Sequence, residues 1–544
     1  MTEADNVAKA KASGVLQRPV VQLDDSLQGF EGERRACREL VDYLRNETDI
    51  AERSPDLIPL LEGTLVSGLH AKVLELRIND KLVGWLFDVK DIWVLQYHAD
   101  WVLDKHSYAL SPGLALRGSA YVDGSSNRPV QWYFDNLLPE EDLRKSLAKD
   151  AKLVHEDIFG LLRHYGAESA GSLVLSPLGQ GPAPEGVREL TAEALNARIR
   201  NLPNAPLTRD APKRMSLAGA QHKMVVVAAT DKKGALVGPL YEPLPGTAST
   251  HILKPNSASA SYPHSVVNEY FVMRLAQRMK LDVPSVFRRY MPESAYLITR
   301  FDRIKATGVT RARDGLVEED GAVPRVDRVH VIDTCQLLNQ PRTLKYEQAR
   351  LDTLTSALEK TRSKARARSS LYQWLVFNVL VGNGDNHLKN VSFVVGTGGI
   401  ELAPGYDMLC TAVYDTRLYA DQNAVWPMTH LGTVLGDINK FSDVTYQSLI
   451  DAGVALGLGA DTARRLLGDM LRNILKAADD LVREIEGEYG VLKRGEDSHI
   501  GAPPPAVQGG EMQLLRAIIG VVMADMVRQV RQSAPGLDGA TRVE

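Results

Sequence analysis

A chain of 544 residues is too long for one small core and predicts roughly two to four domains. Its 64 basic and 68 acidic residues leave a formal charge of -4, which excludes a global basic field for nucleic acid or an anionic membrane. Cys37, Cys335 and Cys410 are far apart and form neither a CxxC pair nor a disulfide ladder, so reduced thiols are expected. The opening MTEADNVAKAKASG lacks an apolar signal core, and no apolar run reaches the roughly 18 residues of a membrane span. A cytoplasmic protein without a membrane partner is expected.

Residues 1–65 read as an extension, flexible over the first 30 or so and helical from about 31. A first globular unit, 66–180, opens with a hairpin pattern: Lys72–Ile78, the turn Asn79-Asp80, then Leu82–Phe87. Helical patterns follow Phe134–Glu140 up to about 165. The second unit, 205–490, starts with strands at Lys223–Ala229 and Ser249–Lys254, a helix over Ser265–Lys280 and a short strand at Tyr296–Phe301. A charged loop spans 305–328. Helices dominate 346–381 and 444–488, with strand, turn and strand from Asn390 to Asp407. Residues 491–510, with Pro503-Pro504-Pro505 and Gly509-Gly510, predict a linker, and 511–544 a final amphipathic helix and tail.

The chemistry concentrates in Gly384-Asp385-Asn386-His387-Leu388-Lys389-Asn390. Phosphoryl transfer needs a carboxylate for the acceptor hydroxyl, oxygen ligands for Mg²⁺ and cations on the phosphates. Asp385 followed five residues later by Asn390 has the spacing of a kinase catalytic loop: base first, metal ligand second. A hairpin turning at Gly396-Thr397-Gly398-Gly399 brings the Asn390 end beside Asp407, the expected carboxylate ligand of Mg²⁺. Lys389 lies within reach of the γ-phosphate, and His387 is expected to orient the loop. A polar turn is the competing account of Asn383–Asn386, and the second acid at the far hairpin end counts against it.

Upstream, Lys254 ends an apolar strand from which it can reach the α- and β-phosphates. Glu269, on the partly apolar face of the next helix, needs a cation, and Lys254 is the expected one. Ser216–Lys223 carries small residues (Ala218, Gly219, Ala220) and Gln221 before a strand, which lets backbone N–H groups approach phosphate. Thr299 and Phe301 fit a hinge that receives adenine, with Asp302 at the ribose.

These ordered segments resemble the HipA family of bacterial serine/threonine kinase toxins. The resemblance rests on SLAGAQHK (216–223), THILKP (250–255), Asn268-Glu269-Tyr270, Arg300-Phe301-Asp302-Arg303, GNGDNHLKN (382–390) and LAPGYD (402–407). Phe134–Glu140 and Gly166–Leu173 extend it into the first unit. It covers roughly 70 to 480. It implies an α+β, protein-kinase-like fold of two subdomains, with 66–180 as the HipA-like N-terminal domain and 205–490 as the kinase core. It implies ATP and Mg²⁺ as cofactors and a protein serine or threonine as acceptor, aminoacyl-tRNA synthetases being the known substrate type. It also implies autophosphorylation, at Ser216, and neutralisation by a separately encoded HipB-like antitoxin that binds DNA, so that DNA contact is indirect. A homodimer is left open.

One departure stands out. The family's Gln-Glu-Asp before Cys-Gln is Val331-Ile332-Asp333 here. A small-molecule phosphotransferase and a non-catalytic nucleotide-binding regulator are the alternative readings.

Overall fold

The computed structural model describes residues 21–67, 72–181, 183–219, 221–231, 234–305, 326–493 and 501–534. The first sheet contains β1 (Val73–Ile78), β2 (Lys81–Val89), β3 (Ile92–Tyr97), β4 (Tyr121–Val122) and β5 (Leu173–Pro177), in the order β4-β3-β2-β1-β5. The expected hairpin forms, with Ile78 opposite Lys81 across a turn in which Asn79 and Asp80 both take positive φ. From Val83 onward β2 is buried on both faces, which explains its continuous apolar run. Helices Pro129–Asp135 and Ile158–Tyr165 pack one face. The other meets Cys37, Leu40, Leu44 and Leu57 of helices Val21–Glu47 and Leu57–Ser67, which lie against Trp85 and Phe87. Full burial of one such side chain contributes about 1.5–3 kcal/mol, so residues 31–61 form part of the core. The flexible arm expected over the first 30 residues falls largely outside the described residues, as does nearly all of the charged 305–328 loop.

The second sheet follows: β6 (Val187–Leu190), β7 (Met224–Thr230), β8 (Leu236–Pro243), β9 (His251–Pro255), β10 (Val286–Tyr290) and β11 (Ser294–Thr299), in the order β10-β11-β9-β7-β8-β6 with every pairing antiparallel. Helix Ser265–Arg278 packs on β9, β10 and β11. A helical layer of Lys364–Leu380, Tyr446–Ala455 and Ala460–Lys493 completes the α+β architecture. Buried side chains run continuously from the first sheet into this layer. Among the described residues no helix is long and apolar enough to cross a membrane.

The stretch read as a linker, 491–510, differs at its ends; 501–504 have no regular structure, and 494–500 lie outside the described residues. Residues 491–493 finish the long helix, and a new helix starts at Pro505. Proline suits a first helical position because its missing N–H has no partner there anyway. Gly510 lies inside that helix because a Cβ would overlap His264 Nε2. The helix then continues through a π segment, Ile518–Met523, to Gln532, burying Leu514, Ile518, Val522, Met526 and Val530 at four-residue spacing. Val522 wedges against Gly382 (φ +70), where a Cβ would overlap it. Gly382→Ala is therefore expected to cost about 1–3 kcal/mol, read as a lower urea midpoint.

Candidate active site

A cleft of about 1070 Å³ lies between the second sheet and the helical layer. Lys254, at the end of β9, projects into it and donates to Glu269 Oε1 at 2.8 Å; the pair expected from the sequence forms. The same amine also pairs with Asp407. One cation thus serves two carboxylates, and they respond differently. Burial alone would raise Asp407, but Lys254 and Lys223 hold it down at about 2. Glu269 is pushed up by burial, which Lys254 only partly offsets. Burial opposes the Lys254 charge, and the two carboxylates outweigh it, so its pKa rises.

The hairpin of β15 (Ser392–Gly396) and β16 (Gly399–Leu402) forms as expected; before it in the chain, β12 (Arg303–Lys305) pairs with β13 (Val326–Arg328), and β14 (Val331–Asp333) pairs with β15. The Tyr406 hydroxyl donates to the Lys389 carbonyl at 2.8 Å and contacts Ser392 Oγ at 2.6 Å, so Asp407 is stitched beside Asn390. Asp407 takes φ +57, an uncommon backbone conformation for a residue with a Cβ. Asn390 Nδ2 donates to the Asp385 carbonyl at 2.7 Å, which leaves the Asn390 Oδ1 as an acceptor. Asp385 is raised to about 6, chiefly by burial; the Asp407 charge adds to this, and a 2.5 Å hydrogen bond from the Tyr346 hydroxyl to Oδ1 opposes it. The loop is braced from below: Asn383 Oδ1 accepts from the Asp385 amide at 3.0 Å, and Thr411 Oγ1 from the Gly384 amide at 2.7 Å.

The small-residue segment Ser216–Lys223 is held by the first unit. Ser216 is fully buried, its amide donating to the Glu168 carbonyl at 2.8 Å, and the Glu140 amide donates to the Gly219 carbonyl at 3.3 Å. Gly219 takes φ +106. Ala218, Gly219 and Gln221 line the cleft, whereas Ala220 lies outside the described residues. Lys223 donates to the Ala218 carbonyl at 2.6 Å, and burial pushes it down to about 8. Thr299 and Phe301 line the cleft, the Thr299 hydroxyl 3.2 Å from His251 Nε2 and the Phe301 ring 5.6 Å from Tyr406.

Two expected roles change. Lys389 is not free for a phosphate: its buried amine donates to Asn136 O (2.8 Å), Asn136 Oδ1 (2.9 Å) and Asp333 Oδ2 (2.6 Å), which uses all three protons. Asp302 borders the cleft, but its oxygens accept from Arg300 (2.9 and 2.7 Å) and from the Gly171 amide (2.8 Å) rather than standing open to a ribose. His387 Nδ1 has no hydrogen-bond partner and Nε2 lies 3.9 Å from Asp385, so of the two readings of this residue, a hydrogen-bonding one and a packed loop histidine, the contacts match the second, with the ring edge-on to Tyr346. The departure at Val331-Ile332 is structural: both are buried strand residues in β14, while Asp333 caps helix Thr334–Leu337 and pairs with Lys389.

Lys223 and Tyr346 were not among the sequence-derived candidates. Lys223 ends the small-residue loop and directly precedes strand β7, a lysine at a strand boundary as Lys254 is, though at the opposite end of its strand. Tyr346 lies 39 residues before Asp385 and carries no local signal.

The HipA N-terminal domain family matches residues 74–176, and the HipA-like C-terminal domain family matches 215–478. The serine/threonine-protein kinase toxin HipA of Shewanella oneidensis is 30% identical over 363 residues, covering 63% of this chain and 76% of its own. The putative kinase Y4mE of Sinorhizobium fredii is 34% identical over 330 residues, covering 58% and 72%. Among solved structures, a chain of the complex of HipA, HipB and operator DNA from the toxin–antitoxin system of S. oneidensis MR-1 superposes with a TM-score of 0.61 at 25% identity, covering 84% of this chain and 99% of that one. With both HipA domains in order and relatives matched over most of their length, the chain belongs to the HipA family of toxin kinases.

Proposed function

We propose that the cleft transfers the γ-phosphate of ATP to a serine or threonine of a protein. The observation that carries this reading is convergence: Lys254, Asp385, Asn390 and Asp407, from separate stretches of chain, line one cleft, with Glu269 behind Lys254. Lys254 and Lys223 would bind phosphate oxygens, aided by the backbone of Ala218–Gln221. Ile252, Ile298 and Phe301 offer an apolar seat for adenine. An ionised Asp407 and the Asn390 Oδ1 are hard oxygen donors of the kind Mg²⁺ prefers, one carboxylate and one amide being enough for an ion that keeps several waters. Mg²⁺, when bound, neutralises charge on the β- and γ-phosphates. Asp385 accepts the acceptor proton, and for that it must be ionised. With a pKa of about 6, activity should rise with pH through that value and level off above it. A flat profile of kcat/KM between pH 5 and 8 would contradict this role.

A protein acceptor is favoured over a small polar one by the rim. Tyr262, Tyr346, Val425 and Met428, about half exposed, all line the mouth of the cleft. Apolar side chains concentrated at a cleft mouth suit a polypeptide better than a sugar or an aminoglycoside. An aminoacyl-tRNA synthetase is the first acceptor to try. Ser216 is proposed as the autophosphorylation site. Its buried place beside Glu168 has no room for a dianion, so a phosphorylated loop would leave the cleft. A HipB-like antitoxin is the proposed partner, with DNA reached through it. Incubation with γ-labelled ATP, Mg²⁺ and candidate proteins tests the reading. Label should appear on protein with wild type and vanish with Lys254→Met; absence of any labelled protein with wild type would refute it.

A further inference from the structure

The hydrogen bond between Tyr346 and Asp385 does not belong to the scaffold that builds the catalytic loop. That loop is held by Asn378, Asn383 and Thr411 from beneath and by Asn390 from the side. Tyr346 comes from the opposite side, at the cleft mouth. Its main chain is fixed, because the Lys345 carbonyl accepts from the Leu388 amide at 3.2 Å and the Tyr346 carbonyl from the Ala349 amide at 3.0 Å. Its side chain is not fixed in the same way. The ring is 46% exposed, and its neighbours are the His387 edge at 4.8 Å and the Lys345 amine at 4.9 Å from the ring centre. The hydroxyl nevertheless reaches Asp385 Oδ1 at 2.5 Å.

A serine or threonine about to be phosphorylated must present a neutral O–H donor to that same carboxylate. We propose that Tyr346 is a gate whose hydroxyl occupies the acceptor's hydrogen bond on Asp385 and is displaced when an acceptor segment enters the cleft. The inference rests on the protein-kinase reading above and adds a specificity device to it. Displacement exchanges one hydroxyl–carboxylate bond for another, so it costs little when a true acceptor arrives. Water brings no binding surface to compensate for moving the ring, so it meets a carboxylate whose Oδ1 is already taken by the tyrosine hydroxyl. The exposed rim formed by Tyr262, Val425 and Met428 is the surface that an acceptor polypeptide could use to displace the ring. The gate therefore favours polypeptide acceptors over hydrolysis.

Tyr346→Phe keeps the ring on His387 and removes only the hydroxyl. The test uses the full-length protein, MgATP and a peptide library with a fixed central serine. The variant is expected to lower KM for the library by about three- to tenfold, the worth of one net hydrogen bond. ATP hydrolysis in the absence of peptide is expected to rise by a similar factor. A hydroxyl that merely positions Asp385 gives the opposite pattern, with hydrolysis and peptide transfer falling together and KM unmoved; that pattern, or no change in either quantity, overturns the gate. MgATP affinity, followed with a fluorescent nucleotide, shows whether the site is intact, and Tyr346→Trp, which keeps a ring but cannot reach with a hydroxyl, should behave like Phe. Failure of wild type to label any protein or peptide overturns the kinase reading and the gate with it, whereas labelling with an unchanged KM in the variant overturns the gate alone.

Discussion

Asp385→Asn is expected to lower phosphate transfer at saturating MgATP by about 10²–10⁴-fold, the usual contribution of a positioned general base. The substitution is nearly isosteric. An asparagine can still accept from Tyr346 through Oδ1, so the loop geometry should persist. What disappears is the carboxylate that takes the acceptor proton. The variant should bind MgATP with near wild-type affinity, because the groups assigned to phosphate and metal are Lys254, Lys223, Asn390 and Asp407. A kcat lost with nucleotide binding retained is therefore the expected signature, measured by labelled transfer and by nucleotide titration. Equal loss of both would mean that Asp385 acts on the nucleotide rather than on the acceptor. The residual rate should also lose the rise through pH 6, since the group responsible for it is gone.

Glu168→Gln is expected to have the largest effect on stability, about 3–5 kcal/mol. Glu168 is fully buried and meets Lys213 (2.6 Å), Arg300 (2.9 Å), Arg303 (2.7 Å) and Arg328 (3.2 Å). Burial alone would raise its pKa, but these four cations hold it well below the ordinary carboxylate value. Its contribution to stability is thus present above the unfolded value and is lost as pH falls toward the folded one. Glutamine removes the acid shared by all four cations and leaves Asp302 to pair with Arg300 and Arg303 alone. Lys213, already pushed down to about 8 by burial, then becomes the group that gives up its proton most readily. The folded variant would bind fewer protons than folded wild type, so the deficit should shrink as pH rises toward 8. Urea denaturation across that range measures both the size and the slope. A deficit below about 1 kcal/mol would mean that water reaches the cluster.

Local patterns in the chain carried much of this fold. The Asn79-Asp80 turn, the Ser265–Arg278 helix and the glycine turn between β15 and β16 are short-range features, set by backbone preferences and by the alternation of apolar residues. The pairing of Lys254 with Glu269 was also legible, since a carboxylate on an apolar helix face needs a cation. The linker reading of 491–510 differs from the structure at its two ends, 491–493 and 505–510, and at the second end for a local reason. Prolines and glycines mark breaks in most contexts, but here Pro505 opens a helix and Gly510 admits His264. Lys389 and Asp302 looked like ligand groups because they are charged residues inside a catalytic motif. Asn136, Asp333 and Gly171, which partner them, lie far away in the chain, and Arg300, although two residues from Asp302, shows only in the folded chain that it turns back onto it, so the motifs by themselves do not reveal that these charges are already satisfied.

The sequence by itself determined the family, the kinds of chemical group in the cleft and the order in which the chain supplies them, because spacing within a strand, helix or tight turn is a local property. The tertiary structure alone decided which of those groups remain available. Whether a lysine faces open space in the cleft or a buried aspartate, and whether a tyrosine 39 residues upstream reaches the Asp385 carboxylate, depends on contacts between distant segments, and those contacts form only when burial of the shared core brings the segments together.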